Sequence, residues 1–313
     1  MKIIKKYIVN KFVVYSLICV LLILFTVVPT KESKFQIEIV NDKSNYTKNV
    51  VYLLDDDNYV SRVISYFDNN TIIDEIKSKI DVLINGDTSL KSFYSLIPKG
   101  TILKNVKVDK DSVYVDFNKD ILNVNEYVEE SMIEALVYTL TETNGINNVY
   151  ILVDGELLKE LPNSKKTIEY PLTRKYGINK KYDLDNLNYI DKTTIFFAKT
   201  DEEDQIYYVP VTKISNIVSD KIDVIVEELK SPVNAQDNLN SYISNNIKLV
   251  NYTIDDNKMN LVFNNYIFND IDKKVILEEV KYILSESIFE NYNIKEVIFN
   301  TESVKNIDRV VKK

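Results

Sequence analysis

The sequence has no histidine, no tryptophan and a single cysteine, Cys19. The missing histidine removes the side chain that most often moves protons near neutral pH. With one cysteine, an intrachain disulfide and a Cys/His zinc site are both excluded. Glycine (5) and proline (6) are scarce, so there is little material for a long flexible linker. No nucleophile elbow, glycine-rich phosphate loop or zinc-hydrolase motif occurs.

What is present fits a folded chain of about two domains: 313 residues, 45% hydrophobic and 27% charged. Asparagine, lysine, isoleucine and tyrosine are abundant, as in proteins from AT-rich genomes. The formal net charge is −8. Lys2, Lys5, Lys6 and Lys11 put +4 on the first eleven residues, so the remainder carries −12. An acidic body is repelled by phosphate backbones and by anionic lipid, which argues against a nucleic-acid partner.

Residues 12–30 carry no charge and hold the most apolar stretch of the chain. Nineteen helical residues rise about 28 Å, close to the hydrocarbon thickness of a bilayer. Lysines precede the run, and the positive-inside rule then places residues 1–11 in the cytoplasm and 31–313 outside the cell. A cleaved signal peptide would need small residues at its cleavage site, and Val27-Val28-Pro29-Thr30 supplies none. A lipoprotein would need a cysteine ending the run, whereas Cys19 sits in its middle. The expected location is therefore the cell membrane, with a single-pass retained anchor.

The body repeats itself. Lys79-Ile80-Asp81-Val82 recurs as Lys221-Ile222-Asp223-Val224, Val113-Tyr114-Val115-Asp116-Phe117-Asn118 matches Met259-Asn260-Leu261-Val262-Phe263-Asn264, and Asn148-Val149-Tyr150-Ile151 matches Glu296-Val297-Ile298-Phe299. The offsets are 142, 146 and 148 residues. Strand patterns at 50–54 and 59–64, around Asp55-Asp56-Asp57-Asn58, recur at 194–199 and 206–211. A helix then carries Ile73, Ile76, Ile80 and Leu83, with Thr71 and Asp74 as a capping box; its counterpart carries Val218, Ile222, Ile225 and Leu229 and stops before Ser231-Pro232. Hairpins follow at 102–117 and 247–263, then helices striped by Val128, Met132, Leu136 and Leu140 and by Ile276, Val280, Ile283 and Leu284. Strands at 148–153 and 295–299 close each copy. The fold class is α+β: a transmembrane helix followed by two tandem two-layer sandwiches, at 48–156 and 194–301, joined by a connector at 157–193.

The densest part of the first copy resembles the GerMN domain. It is carried by Ile97-Pro98-Lys99-Gly100-Thr101-Ile102-Leu103, Val113-Tyr114-Val115-Asp116-Phe117, Thr139-Leu140-Thr141-Glu142 and Val149-Tyr150-Ile151-Leu152-Val153-Asp154-Gly155, with Pro171-Leu172-Thr173-Arg174 and Ile178-Asn179 in the connector. The second copy lacks the Pro-x-Gly-Thr turn and has Ile283-Leu284-Ser285-Glu286 for Thr-Leu-Thr-Glu. The resemblance implies ring-building-motif-like domains with a non-catalytic part in sporulation or germination, in an envelope assembly. It implies envelope or sporulation-complex proteins as partners, beside the membrane itself. Relatives are often lipid-anchored; here a helix replaces the lipid.

No catalytic, cofactor-binding or metal-binding residue is assigned, no cofactor is implied, and no small molecule is known as a partner. Asp116, Glu142 and Asp154 form the best carboxylate trio, but no base accompanies them and they read as solvated strand and turn acids. Asp55-Asp56-Asp57 departs from calcium-loop spacing and reads as an acidic hairpin turn. The 22 tyrosines suit a protein-binding exterior and equally an AT-rich proteome. The expected function is a membrane-anchored, extracytoplasmic interaction module that is not an enzyme. The alternative is a binding module for peptidoglycan or a small ligand, with a pocket between the domains or under the connector.

Overall fold

Hairpins open both halves of the chain in this computed structural model. It describes residues 46–312 apart from 187, 217–218, 232–237 and 271. The expected cytoplasmic segment, the anchor at 12–30, Val218 and Pro232 lie outside the described residues. Among the described residues no helix is long and apolar enough to cross a membrane.

Strands β1 (Tyr46–Asp55) and β2 (Val60–Asp68) pair antiparallel. The Asp55 carboxylate accepts the N–H groups of Asp57 and Tyr59 at 3.0 and 2.8 Å, which sets the turn. Helix α1 (Ile72–Asn85) starts at Thr71, whose hydroxyl accepts the Asp74 N–H at 3.1 Å. The capping box is only half formed, because the Asp74 carboxylate accepts the Thr71 hydroxyl instead of a backbone N–H. After β3 (Phe93–Tyr94) comes the hairpin of β4 (Leu103–Asp109) and β5 (Ser112–Phe117). Val113, Val115 and Phe117 alternate inward along β5, as a half-buried strand requires. Helix α2 (Glu129–Thr141), β6 (Asn148–Val153) and β7 (Glu156–Leu157) complete the first copy.

The connector is ordered and carries β8 (Lys181–Asp183). The second copy repeats the pattern with β9 (Asp191–Thr200), β10 (Ile206–Ser215), α3 (Lys221–Lys230), β11 (Leu249–Asp255), β12 (Lys258–Phe263), α4 (Glu278–Asn291) and β13 (Glu296–Thr301). A last strand, β14 (Asp308–Val311), extends its sheet beyond the expected boundary.

The copies are not two separate two-layer sandwiches. Each keeps a four-stranded sheet, in the orders β4-β5-β6-β7 and β11-β12-β13-β14. The two opening hairpins instead merge into one six-stranded sheet, in which β2 meets β10 and β9 lies beyond β10. Helix α2 is consequently not covered along one stripe: every residue from Met132 to Leu140 is buried, because it packs against β1 and β2 as well as β6. The same enclosure buries eight of the fourteen residues of α4. Each long helix also covers strand edge that no other strand takes, on β1 beyond its short pairing with β3 and on β9. Thr139 accepts the N–H of Tyr52 on β1, and Ser287 accepts that of Phe196 on β9, both at 2.9 Å. An otherwise open sheet edge is closed in this way at both ends.

Equivalent hydrogen bonds fix the true alignment of the copies. Asn118 accepts the Ile102 N–H and donates to the Gly100 carbonyl; Asn264 does the same with Lys248 and Asn246, at an offset of 146. Phe117 therefore corresponds to Phe263, as the strand match indicates. Ser95 donates to the Leu83 carbonyl where Ser241 donates to that of Leu229, again 146 apart. Ile80 thus corresponds to Val226, and Ile222 to Ile76. The repeated Lys-Ile-Asp-Val is one helical turn out of register. Residues four apart share a helix face, so Ile80 and Ile222 are both fully buried all the same. The Thr-Leu-Thr-Glu match errs similarly. Thr139 and Ser287 fill the same role 148 apart, which makes Glu290, and not Glu286, the counterpart of Glu142.

Candidate functional site at the junction of the two copies

Arg174 comes from the connector and joins the two copies. The Thr173 hydroxyl accepts the Lys175 N–H at 3.2 Å and opens a single 3-10 turn, which Gly177 ends at φ 85°. The turn aims Arg174 between the C-terminal ends of α2 and α4. Its Nη2 meets Glu142 and its Nη1 meets Glu290, each at 2.7 Å, and its Nε donates to Thr141 at 3.0 Å. The guanidinium lies 4.7 Å from the centre of the Tyr138 ring. One cation is thus held by equivalent carboxylates from the two copies.

Further groups surround this clamp. Glu142 accepts the Tyr52 hydroxyl at 3.0 Å and stands 3.6 Å from Arg62 Nε. Arg62 sits 5.7 Å from the centre of the Tyr282 ring, which stacks on Tyr208 at 3.9 Å. Burial alone would raise the Glu142 carboxyl, but the Arg174 and Arg62 guanidiniums, with hydrogen bonds from Arg174 and Tyr52, outweigh it and lower it to about 2. Glu286, one turn earlier on α4, is raised: its burial outweighs the attraction of Arg62. Tyr282 is raised by burial too, and its hydroxyl has no hydrogen-bond partner among the described residues.

Two further junction sites lie nearby. The Asn179 side chain accepts the Val60 N–H at 2.8 Å and donates to the Val60 and Pro210 carbonyls at 2.9 and 2.8 Å, so it bridges β2 and β10. Only one residue pair, Tyr208 with Arg62, joins those strands in register. Beside it Lys180 reaches Glu134 on α2 at 2.8 Å. At the other site Lys199 of the second copy lies buried 2.9 Å from Asp55 and 2.5 Å from Asp57 of the first. The acidic turn is therefore filled by a lysine ammonium. The hydrogen bond from Lys199, aided by one from Asn238, holds the Asp57 carboxyl below its usual range.

The carboxylate trio does not converge. Asp116 accepts the Gly155 N–H at 2.9 Å, and Asp154 pairs with Lys104 at 2.9 Å. Glu142 instead precedes the opposite end of β6, and a strand of six residues spans about 20 Å. Glu142 is also no solvated acid, since arginine takes up its charge. A separate pocket of about 280 Å³ lies between the connector and the second copy. Ile195, Phe197 and Val211 line it together with Lys213 and Glu228, which pair at 2.5 Å.

Two residues of the clamp, Glu142 and Arg174, stand in the motifs on which the family resemblance rests. Residues 50–159 match the Germane family, described as "Sporulation and spore germination". Over 223 residues the chain is 30% identical to the spore germination protein GerM of Bacillus subtilis (strain 168). This chain carries a Germane-family domain. The match covers 69% of the chain and 59% of GerM, so it spans less than two thirds of that relative. The arrangement of sheets and helices is similar to that of the tandem GerMN domains of the sporulation protein GerM from Bacillus subtilis. That likeness has a TM-score of 0.73 at 24% identity and covers 86% of this chain and 97% of the other. The second GerMN copy, read from the internal repeat, is thereby part of the shared fold. Sequence reasoning missed the GerMN clamp itself: Thr141-Glu142 and Arg174 stood out as motifs, but Glu290, Arg62 and Lys199 carried no local signal.

Proposed function

We propose that the protein is a non-catalytic, membrane-anchored assembly module that acts outside the cytoplasm in spore formation or in the cell envelope. The carrying observation is the use of the motif residues. Glu142 and Arg174 are spent on holding two copies and their connector in one body, which suits a docking platform. The similarity to GerM supports a place in sporulation or germination. The lysine-flanked uncharged run at 12–30 supports a single-pass anchor with the body outside. On this reading the copies, bounded at 48–156 and 194–301, act as ring-building-like modules for envelope or sporulation-complex proteins. Cross-linked pulldown from membranes through a sporulation time course tests it. Stable envelope-protein partners, reduced in Arg174→Leu, are expected; retention on purified cell wall without any protein partner would replace it with the ligand-binding reading. Protease added to intact protoplasts should remove the body, and its survival beside cleaved surface controls would sink the topology.

The ligand-binding reading draws support from the pocket under the connector, with its apolar floor of Ile195, Phe197 and Val211. If that pocket binds a ligand, Val211→Trp should abolish cell-wall retention while leaving protein partners attached.

A further inference from the structure

The two copies guard the same strand edge differently. β4 and β11 are equivalent, each the outer strand of its four-stranded sheet and each with a register shift after its first residue. On β4 the exposed positions include Lys104 and Lys107, and edge lysines discourage pairing with another strand. Their counterparts on β11 are Val250 and Thr253. From Leu249 to Ile254 the strand carries no charge, and Val250 and Ile254 are 50% and 48% exposed.

The backbone of β11 is also open. Asp255 and Lys258 close a two-residue turn, so they are a hydrogen-bonded pair. Alternation from there points the N–H and C=O groups of Ile254 and Tyr252 away from β12. In keeping with this, the Tyr252 N–H donates to the side chain of its neighbour Asn251, at 2.9 Å.

We infer that β11 pairs antiparallel with β11 of a second copy of this chain, about a two-fold axis at Tyr252. That register is self-complementary. Tyr252 meets its own image through outward backbone groups. Val250 faces Ile254 on both sides of the axis and covers the exposed apolar row. Beyond the paired strands, exposed Lys248 comes toward the exposed turn residue Asp256 of the second copy, so opposite charges meet at both ends. β4 offers no such match, because its own axis would oppose lysine-bearing strands. The pairing joins two seven-residue edges into one eight-stranded sheet and is independent of the anchor and of any envelope partner.

Sedimentation of the full chain in detergent, beside site-directed cross-linking, tests this. A dimer is expected. Val250→Lys with Thr253→Lys, which copies the guards of β4, should weaken it roughly tenfold or more. In a Cys19→Ser background, Tyr252→Cys should form an interchain disulfide under mild oxidation, while cysteine at Lys104 should not. A chain that stays monomeric, or a dimer indifferent to the double lysine variant, overturns the inference. Should the lysine variant fail to fold, judged by circular dichroism, the absence of the disulfide at position 252 overturns it alone.

Discussion

At the residue scale the junction is electrostatic, and its parts answer differently to charge removal. Arg174 neutralises Glu142 and Glu290 together. Arg174→Leu should therefore cost about 3 kcal/mol, the usual penalty of stranding buried charge, measured by urea denaturation. Adding Glu142→Gln and Glu290→Gln should recover part of that loss, which a purely steric role for Arg174 would not allow. Acid should act through Glu142. Its folded carboxyl is lowered from 4.5 to about 2. A lowered acid contributes stability above its unfolded value and loses it as the pH falls, so the loss should fall between about pH 4.5 and 2 and shrink in Glu142→Gln. Glu286 has the opposite sign. Its carboxyl is raised by burial, so ionisation at neutral pH weakens the fold. Glu286→Gln should raise the melting temperature at pH 7 and leave it unchanged below pH 4; a lowered melting temperature at pH 7 would refute this.

At the element scale, helix hydroxyls close the strand edges. Thr139→Ala and Ser287→Ala remove equivalent acceptors from the N–H groups of Tyr52 and Phe196. Each should cost about 1–2 kcal/mol in thermal or chemical unfolding, since a buried N–H is left without a partner. Similar losses in both variants would mark the two contacts as one device used twice. The elements themselves were legible in the sequence, because strand alternation and helical stripes are local patterns. Phe117 on Phe263 followed from a strand, where a slip of one residue would turn the apolar set outward. The helix matches slipped by a turn because a shift of four leaves the buried face unchanged, as Ile80 and Ile222 demonstrate. The merging of β2 with β10 left no local trace: it rests on Asn179, more than a hundred residues from Val60, and on Tyr208 meeting Arg62. Burial of α2 on all sides was hidden for the same reason, since its second cover comes from a hairpin far earlier in the chain.

At the scale of the whole molecule, the shared sheet, the Arg174 clamp and the Lys199 contact make two copies one folding unit. Calorimetry of the body should show a single transition, with the calorimetric and van't Hoff enthalpies equal. Two separated transitions would mean that the copies fold independently. Chelators should leave that transition where it is, because a lysine ammonium occupies the acidic turn. The position of Arg174 outside both copies carries a consequence for descent. A duplicated domain is ordinarily free to be lost, multiplied or exchanged by recombination at its linker. Here the linker supplies a cation that both duplicates share, so a crossover within it would separate Glu142 or Glu290 from the Arg174 charge. The pair should therefore be inherited as a single gene segment, with divergence between the duplicates expected at surfaces such as β4 and β11, where Lys104 in one stands against Val250 in the other.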